Sequence, residues 1–145
     1  MQVTLDDIVA ARGRIAGGVS ETPCPLSIPL SELCGAQVFC KLEHQQRTGS
    51  FKERGARNAL MLLPPDRRRR GAISASAGNH ALGMAYHGAL LGIPITVVMP
   101  RFAPLIKVAN CRKLGANVVL HGGSLAHPGR RVGRGARPHL RPRLR

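Results

Sequence analysis

Between Gly71 and Leu120 short apolar runs alternate with helical periodicity, and this alternation limits the fold more than any other feature of the chain. Gly71–Ser76 reads as a short, buried strand. A helix follows from about Asn79, with Leu82, Ala85, Tyr86, Ala89 and Leu90 on one face at steps of three and four. Gly92 and Pro94 stop it, and Ile95-Thr96-Val97-Val98-Met99 reads as a second strand. Pro104 opens another helix at a favoured first-turn position, Gly115 closes it, and Ala116–Leu120 makes a third strand. Strand, helix, strand, helix, strand in fifty residues dictates an α/β fold. Its parallel sheet is joined by right-handed crossovers, with flanking helices expected on both faces in three layers. In such sheets ligands sit beyond the carboxyl ends of the strands, against helix N-termini. The turn Ser76-Ala77-Gly78-Asn79-His80 occupies such a place.

The first seventy residues are less regular. Residues 3–17 read as a helix that Thr4 can cap, with Leu5, Ile8, Val9, Arg12 and Ile15 at helical spacing. Thr22-Pro23-Cys24-Pro25 breaks it. Leu30–Leu33 fits a turn or short helix closed by Gly35. Gln37–Leu42 has the partial alternation of a strand. Ser50 then caps a helix, and Glu53 three residues on is expected to complete a capping box. That helix runs through Ala56, Ala59, Leu60 and Leu63 until Pro64-Pro65 ends it.

Composition narrows the function. The 145 residues suffice for one ordinary domain. With three Phe, one Tyr and no Trp, the core must be aliphatic. No apolar run reaches the ~20 residues of a membrane helix. The N-terminus, Met-Gln-Val-Thr-Leu-Asp-Asp, lacks the apolar core of a secretion signal, so a cytoplasmic protein without membrane partners is expected. The net charge of +15 raises the question of nucleic acid. It is concentrated in Arg67–Arg70 and in seven arginines between His127 and Arg145, with no aromatic residues interleaved as a stacking platform. Sequence-specific nucleic-acid binding is therefore not expected. Cys24, Cys34, Cys40 and Cys111 form no Cys-x-x-Cys pair and have no histidine at zinc-finger spacing. They read as reduced, mostly buried thiols, and no metal site is expected.

Two turns carry chemistry. Thr48-Gly49-Ser50-Phe51-Lys52-Glu53-Arg54-Gly55-Ala56 puts a lysine in the first turn of a helix. There the positive end of the dipole disfavours an ammonium and favours the neutral amine that imine formation needs. Ser76–His80 presents free backbone N–H groups at a strand-to-helix junction, suited to an anion, with Ser76 and Asn79 adding side-chain donors. Ordinary capping also accounts for Ser76 and Asn79. Tyr86, His87 and His44 read as structural, Tyr86 in the core and the two histidines in polar settings. No Gly-x-Gly-x-x-Gly or Gly-x4-Gly-Lys-Ser/Thr string is present.

Thr48–Ala56 and Ser74–Gly83 resemble the matching motifs of the fold-type II enzymes dependent on pyridoxal 5′-phosphate (PLP), and within them the threonine ammonia-lyases, or threonine dehydratases. Supporting strings are Thr22-Pro23, Lys41-Leu42-Glu43, Gly92-Ile93-Pro94, Val98-Met99-Pro100, and Lys107-Val108 ahead of Leu114-Gly115-Ala116. The resemblance covers roughly residues 3–123. It implies the N-terminal part of a tryptophan synthase β-like fold. Residues 1–50 would begin the larger PLP domain, and 51–123 would form a smaller α/β domain bearing the lysine and the asparagine loop. It further implies that Lys52 carries PLP as a Schiff base and removes the α-proton. Phe51 would pack by the cofactor ring, and Asn79 would hydrogen-bond the cofactor's phenolic oxygen. Ser76, Ala77, Gly78 and His80 would line the loop for the substrate carboxylate. The implied reaction converts the small-molecule substrate L-threonine to 2-oxobutanoate and ammonia, in isoleucine biosynthesis or threonine catabolism, in a homo-oligomer when full-length. Serine dehydratase and serine racemase share these motifs and remain alternatives.

The chain departs from the family pattern after Gly123. Three prolines, three glycines and seven arginines among residues 127–145 sustain neither helix nor strand. The glycine-rich phosphate loop of the family has no counterpart in this sequence. Residues 124–145 are thus expected to be a disordered tail read out of frame from GC-rich coding sequence. The alternatives are a genuine basic tail that binds polyanions, or a noncatalytic remnant. The out-of-frame expectation is checked by translating the other forward frames past this point. An acidic, alanine-rich helix followed by a glycine-rich loop is the expected result, and its absence from both frames refutes the idea.

Overall fold

The computed structural model describes residues 2–123; the expected tail from 124 onward lies outside them. Helix α1 spans Leu5–Ile15 and begins with a reciprocal capping box. The Asp7 N–H donates to Thr4 Oγ1 at 3.3 Å, and the Thr4 N–H donates to Asp7 Oδ2 at 2.9 Å. The helical spacing of its apolar residues is real, yet only Ile15 is buried, and Leu5, Ile8 and Val9 face solvent. Helix α2, Ile28–Cys34, ends on Gly35 in the left-handed conformation, as a C-terminal glycine allows.

The expected strand at Gln37–Leu42 does not form. The segments 23–27 and 38–42 do lie antiparallel: Ser27 donates to the Val38 carbonyl, Cys40 to Pro25 and Leu42 to Pro23. Each of these pairs is only half made. Pro23 and Pro25 have no N–H to return, and the Val38 N–H goes to Ser31 Oγ instead. A single bridge, Leu26 opposite Phe39, is all that survives. The cause lies opposite the expected strand, where reading the segment alone cannot find it.

Helix α3 spans Lys52–Met61 and helix α4 spans Pro65–Arg70. The second was not anticipated. Pro65 occupies its first turn, where a missing N–H costs nothing. The Arg68 guanidinium bonds back to the Leu63 and Met61 carbonyls at 2.8 and 2.5 Å, capping the preceding helix. Then come β1 (Ala72–Ala75), α5 (Asn79–Leu91), β2 (Ile95–Met99), α6 (Leu105–Lys113) and β3 (Asn117–Leu120). The strands form one parallel sheet in the order β1-β2-β3. Ala72 pairs with Ile95 and Ala75 with Val98; Thr96 pairs with Asn117 and Met99 with Leu120.

Alternation along β2 sorts the two faces. Ile95, Val97 and Met99 point into a core that includes Leu82, Met84 and Ala85 of α5 and Val108 and Cys111 of α6. Helices α5 and α6 therefore share one face, as two crossovers of the same hand require. Burial of each large side chain here contributes about 1.5–3 kcal/mol. The opposite face is open among the described residues. Ile73 and Val119 are exposed there, and Thr96 and Val98 are half-buried. The expectation of two covered faces is thus corrected to one.

Two smaller expectations are corrected as well. Ala89 and Leu90 fall on the solvent side of α5, because the face pressed on the sheet and on α3 runs through Ala81, Leu82, Met84, Ala85, His87 and Gly88. Cys24 and Cys34 are exposed and Cys40 is half-buried, so of the four free thiols only Cys111 is a core residue. Both exposed cysteines lie outside the packed helix–sheet layer, in the proline-rich segment and at the end of α2. No helix among the described residues is long and apolar enough to cross a membrane.

Gly71 precedes β1 with φ +85°, and a Cβ there would run into the Pro94 carbonyl that accepts the Ala72 N–H. Gly71→Ala is expected to destabilise the fold by about 2–4 kcal/mol, combining backbone strain with displacement of the first ladder bond. Equilibrium urea unfolding checks this.

Candidate active site

Lys52 opens α3 on the far side of a tight turn. Gly49 takes φ +78°, a conformation that favours glycine. Ser50 is buried, and its Oγ accepts the Lys52 N–H at 3.4 Å. The expected capping box is not what forms. Glu53 instead turns its Oε1 to the Thr48 N–H, at the start of the turn, and helix α3 has no side-chain cap. Its other oxygen is claimed from across the interface: Oε2 lies 3.5 Å from His87 Nε2, and both side chains are fully buried. With Oε1 taken by Thr48 and Oε2 turned into the interior, the local capping pattern does not form.

Above this turn the Lys52 amine is exposed, 4.8 Å from the centroid of the Phe51 ring. Among the described residues Nζ has no hydrogen-bond or ion-pair partner. The backbone of Lys52 lies against α5: a Cβ on Gly83 would stand 3.3 Å from the Lys52 carbonyl carbon and oxygen and from Ala56 Cβ. Gly83 is one helical turn beyond Asn79, about 6 Å along the axis. The two turns singled out in the sequence are thereby brought together at one end of the α3–α5 pair.

The second turn is built from the sheet. The Ser76 N–H continues the β1–β2 ladder to the Val98 carbonyl at 3.1 Å, and its Oγ accepts the Gly78 N–H at 3.3 Å. Ser76, Ala77, Gly78 and His80 are half-buried, and Asn79 is exposed as the first residue of α5. Gly78 is the N-cap and supplies no side chain, so the first N–H groups of this thirteen-residue helix meet no capping side chain. They form a concentration of donors and positive dipole open to an anion. One neighbour was missed from sequence: Lys107 of α6 donates to Asn79 Oδ1 at 2.8 Å. Its position in the first turn of α6, one strand along, is the signal that could have found it.

The site rests on a charged anchor. Arg54, two residues after Lys52, makes a bidentate pair with Glu43, its Nε and Nη2 each 2.8 Å from the carboxylate. The Thr22 hydroxyl donates to the same carboxylate at 2.6 Å, and Gln46 joins Glu43 to Ser20. Hydrogen bonds from Arg54 hold the Glu43 carboxyl at about 2, against the opposing effect of burial and with help from Thr22 and Gln46. His87, expected in a polar setting, is instead fully buried. Burial pushes its imidazole below the usual 6.5, Arg57 adds to this, and Glu53 opposes it. The overlooked sequence signal is that Glu53 falls at i, with Ala56 at i+3 and Leu60 at i+7, on the buried stripe of α3.

The profile of the family described as "Pyridoxal-phosphate dependent enzyme" matches residues 15–139. The chain belongs to this pyridoxal-phosphate dependent enzyme family. It is 47% identical over 120 residues to the L-threonine ammonia-lyase of Thermotoga maritima, covering 83% of this chain and 30% of that protein. It is 48% identical over 122 residues to the catabolic L-threonine dehydratase of Escherichia coli (strain K12), covering 84% of this chain and 37% of the relative. Its fold matches that of maize serine racemase with a TM-score of 0.80 at 35% identity, over 86% of this chain and 38% of the other. The chain thus spans about a third of the length of the curated relatives it matches. The residues present fit the family's cofactor. An aldehyde needs a free amine, which Lys52 offers beside a flat apolar ring, and the anion that such chemistry brings has the uncapped end of α5.

Glu43 has a folded-state value below its ordinary 4.5. Its pairing therefore contributes stability that is full above pH 4.5 and is lost as the pH falls towards 2. Glu43→Gln is expected to cost about 1–3 kcal/mol at pH 7. The difference from the unmutated chain should shrink below pH 4.5, as read by urea unfolding across a pH series.

Proposed function

We propose that the chain is the lysine-bearing part of a PLP-dependent ammonia-lyase that converts L-threonine to 2-oxobutanoate and ammonia. The observation that carries this is an exposed, unpaired lysine amine on a turn whose backbone packs against Gly83, one helical turn into the uncapped helix α5. It is supported by the similarity to an L-threonine ammonia-lyase and an L-threonine dehydratase. In this reading residues 1–50 belong to the larger domain of the enzyme and 51–123 to the smaller.

The residues divide the work. Lys52 holds the cofactor through its amine, Phe51 packs at the ring, and Asn79 hydrogen-bonds it from the start of α5. When bound, PLP supplies a sink for the electron pair left behind when the α-proton departs. The Lys52 amine, released once the substrate's own amine has replaced it on the cofactor, would take that proton, so no separate acid–base pair is required. The N–H groups at Ala77 and His80, with the Ser76 hydroxyl and the open backbone at Gly78, line the loop that holds the substrate carboxylate by charge-assisted hydrogen bonds. Loss of the β-hydroxyl as water, followed by hydrolysis of the nitrogen-bearing product, leaves 2-oxobutanoate and ammonia.

Serine is the second reading, drawn from the likeness to maize serine racemase. The two amino acids differ by one methyl group, which a pocket distinguishes by about 1–3 kcal/mol. Assays of 2-oxobutanoate, pyruvate and D-serine formation with an in-frame, full-length version separate them.

Incubation with PLP followed by borohydride is expected to fix one cofactor on the peptide containing Lys52, read by mass spectrometry. Lys52→Ala should reduce the labelling to background. Labelling that survives the substitution overturns the assignment.

A further inference from the structure

We propose that Glu53 and His87 form a buried positioning pair for Lys52, in which the imidazole N–H orients the carboxylate that clamps the turn carrying the amine. This rests on the reading of Lys52 as the acting residue. Three observations converge on it.

The first is burial without partners. Glu53 and His87 are both fully buried, yet Glu53 Oε2 and both imidazole nitrogens lack a hydrogen-bond partner among the described residues. A buried polar atom left unpaired costs about 1–3 kcal/mol. Oε2 and Nε2 face each other at 3.5 Å, which a small rotation of either side chain closes to a hydrogen bond.

The second is the geometry of the carboxylate. Its Oε1 already accepts the Thr48 N–H, five residues back. Glu53 thus closes the Thr48–Lys52 turn as a loop, and Lys52 is its immediate chain neighbour. A carboxylate held at one oxygen by a backbone donor and at the other by an imidazole has one orientation, and so does the turn.

The third is the protonation state that the surroundings allow. Burial among apolar residues disfavours a charged imidazole, and Arg57, one turn along α3 and packed on Gly18, disfavours it further. The Tyr86 ring meets the imidazole edge-on, with centroids 5.0 Å apart. A neutral His87 has one proton to give. Placed on Nε2 it serves Glu53 and leaves Nδ1 bare.

The test uses the full chain. His87→Leu removes the donor at similar volume, and His87→Gln keeps a neutral donor. Amide hydrogen exchange is followed at Thr48, with Val97 in the central strand as a control for global opening. His87→Leu should speed exchange at Thr48 at least tenfold, leave Val97 within twofold, and cut borohydride trapping of PLP at Lys52 at least fivefold. His87→Gln should restore Thr48 exchange and PLP trapping to within twofold of the unmutated chain. Unchanged exchange at Thr48 in His87→Leu, or a His87→Gln variant that behaves like it, overturns the proposal. Should His87→Leu fail to fold, nitrogen-15 NMR of the unmutated chain decides. A slowly exchanging Nε2–H with unprotonated Nδ1 supports the pair, and the opposite tautomer or a freely exchanging imidazole overturns it. If the unmutated chain traps no PLP, the assignment of Lys52 falls, while exchange and tautomer still decide whether the pair holds the turn.

Discussion

The seam between α3 and α5 sets where everything else stands. Gly83 has no side chain, so the backbone of Lys52 can lie directly on the second turn of α5, and Ala56 fills the space beside it. A methyl group at Gly83 would meet three atoms at 3.3 Å, two of them backbone, which cannot give without moving the turn itself. The seam then carries Leu60 on one side and Leu82, Met84 and Ala85 on the other into the core shared with the sheet. The backbone of Lys52 is therefore fixed by close packing of small residues, because only they allow the two helices to meet this closely. Interiors packed at crystal-like density transmit a displacement of a few tenths of an ångström instead of absorbing it.

Polar contacts complete what packing begins. On one side of α3, Arg54 ties the helix to Glu43, and through Thr22, Gln46 and Ser20 to the segment leading from α1. On the other, Glu53 meets His87. Adjacent residues of one helix thus anchor two separate bodies of the molecule. The half-buried Glu43–Arg54 side is bidentate; the fully buried Glu53–His87 side leaves atoms unpaired. Low dielectric makes the second the costlier arrangement to maintain. A costly arrangement next in the chain to Lys52 is better accounted for by holding the turn in place than by stability.

Much of this was legible in the chain. Gly71, Gly92, Pro94 and Gly115 punctuate the strands and helices of residues 71–120, and the periodicity between them changes from two to about four, so local sequence suffices. The Lys52 and Ser76–His80 turns were readable for the same reason: each is a strand or loop end meeting a helix start. What failed depends on partners distant in sequence. Pro23 and Pro25 abolish a strand at Gln37–Leu42 without lying in it. Glu53 turns to the Thr48 N–H and the buried side of α5 instead of closing the capping box that spacing alone predicts. The burial of His87 follows from the angle at which α5 meets α3, and the open sheet face follows from which neighbours are present; neither is written in a window of ten residues.

On the proposed reading of Lys52 and the Ser76–His80 turn, the arrangement also accounts for the separation of anion binding from amine chemistry along the chain. An anion is held best by backbone N–H groups at a helix start, and such a site needs the absence of a capping side chain, hence Gly78. An amine that must form and break a bond needs the opposite: a side chain long enough to move, on a backbone that does not. The first requirement is met by a sheet-anchored turn whose ladder bond from Ser76 to Val98 fixes it. The second is met by a turn held through Gly49, Ser50 and Glu53. Because both turns end on the same pair of packed helices, their relative placement is set by one interface, and the two turns stay in register without a direct bond between them.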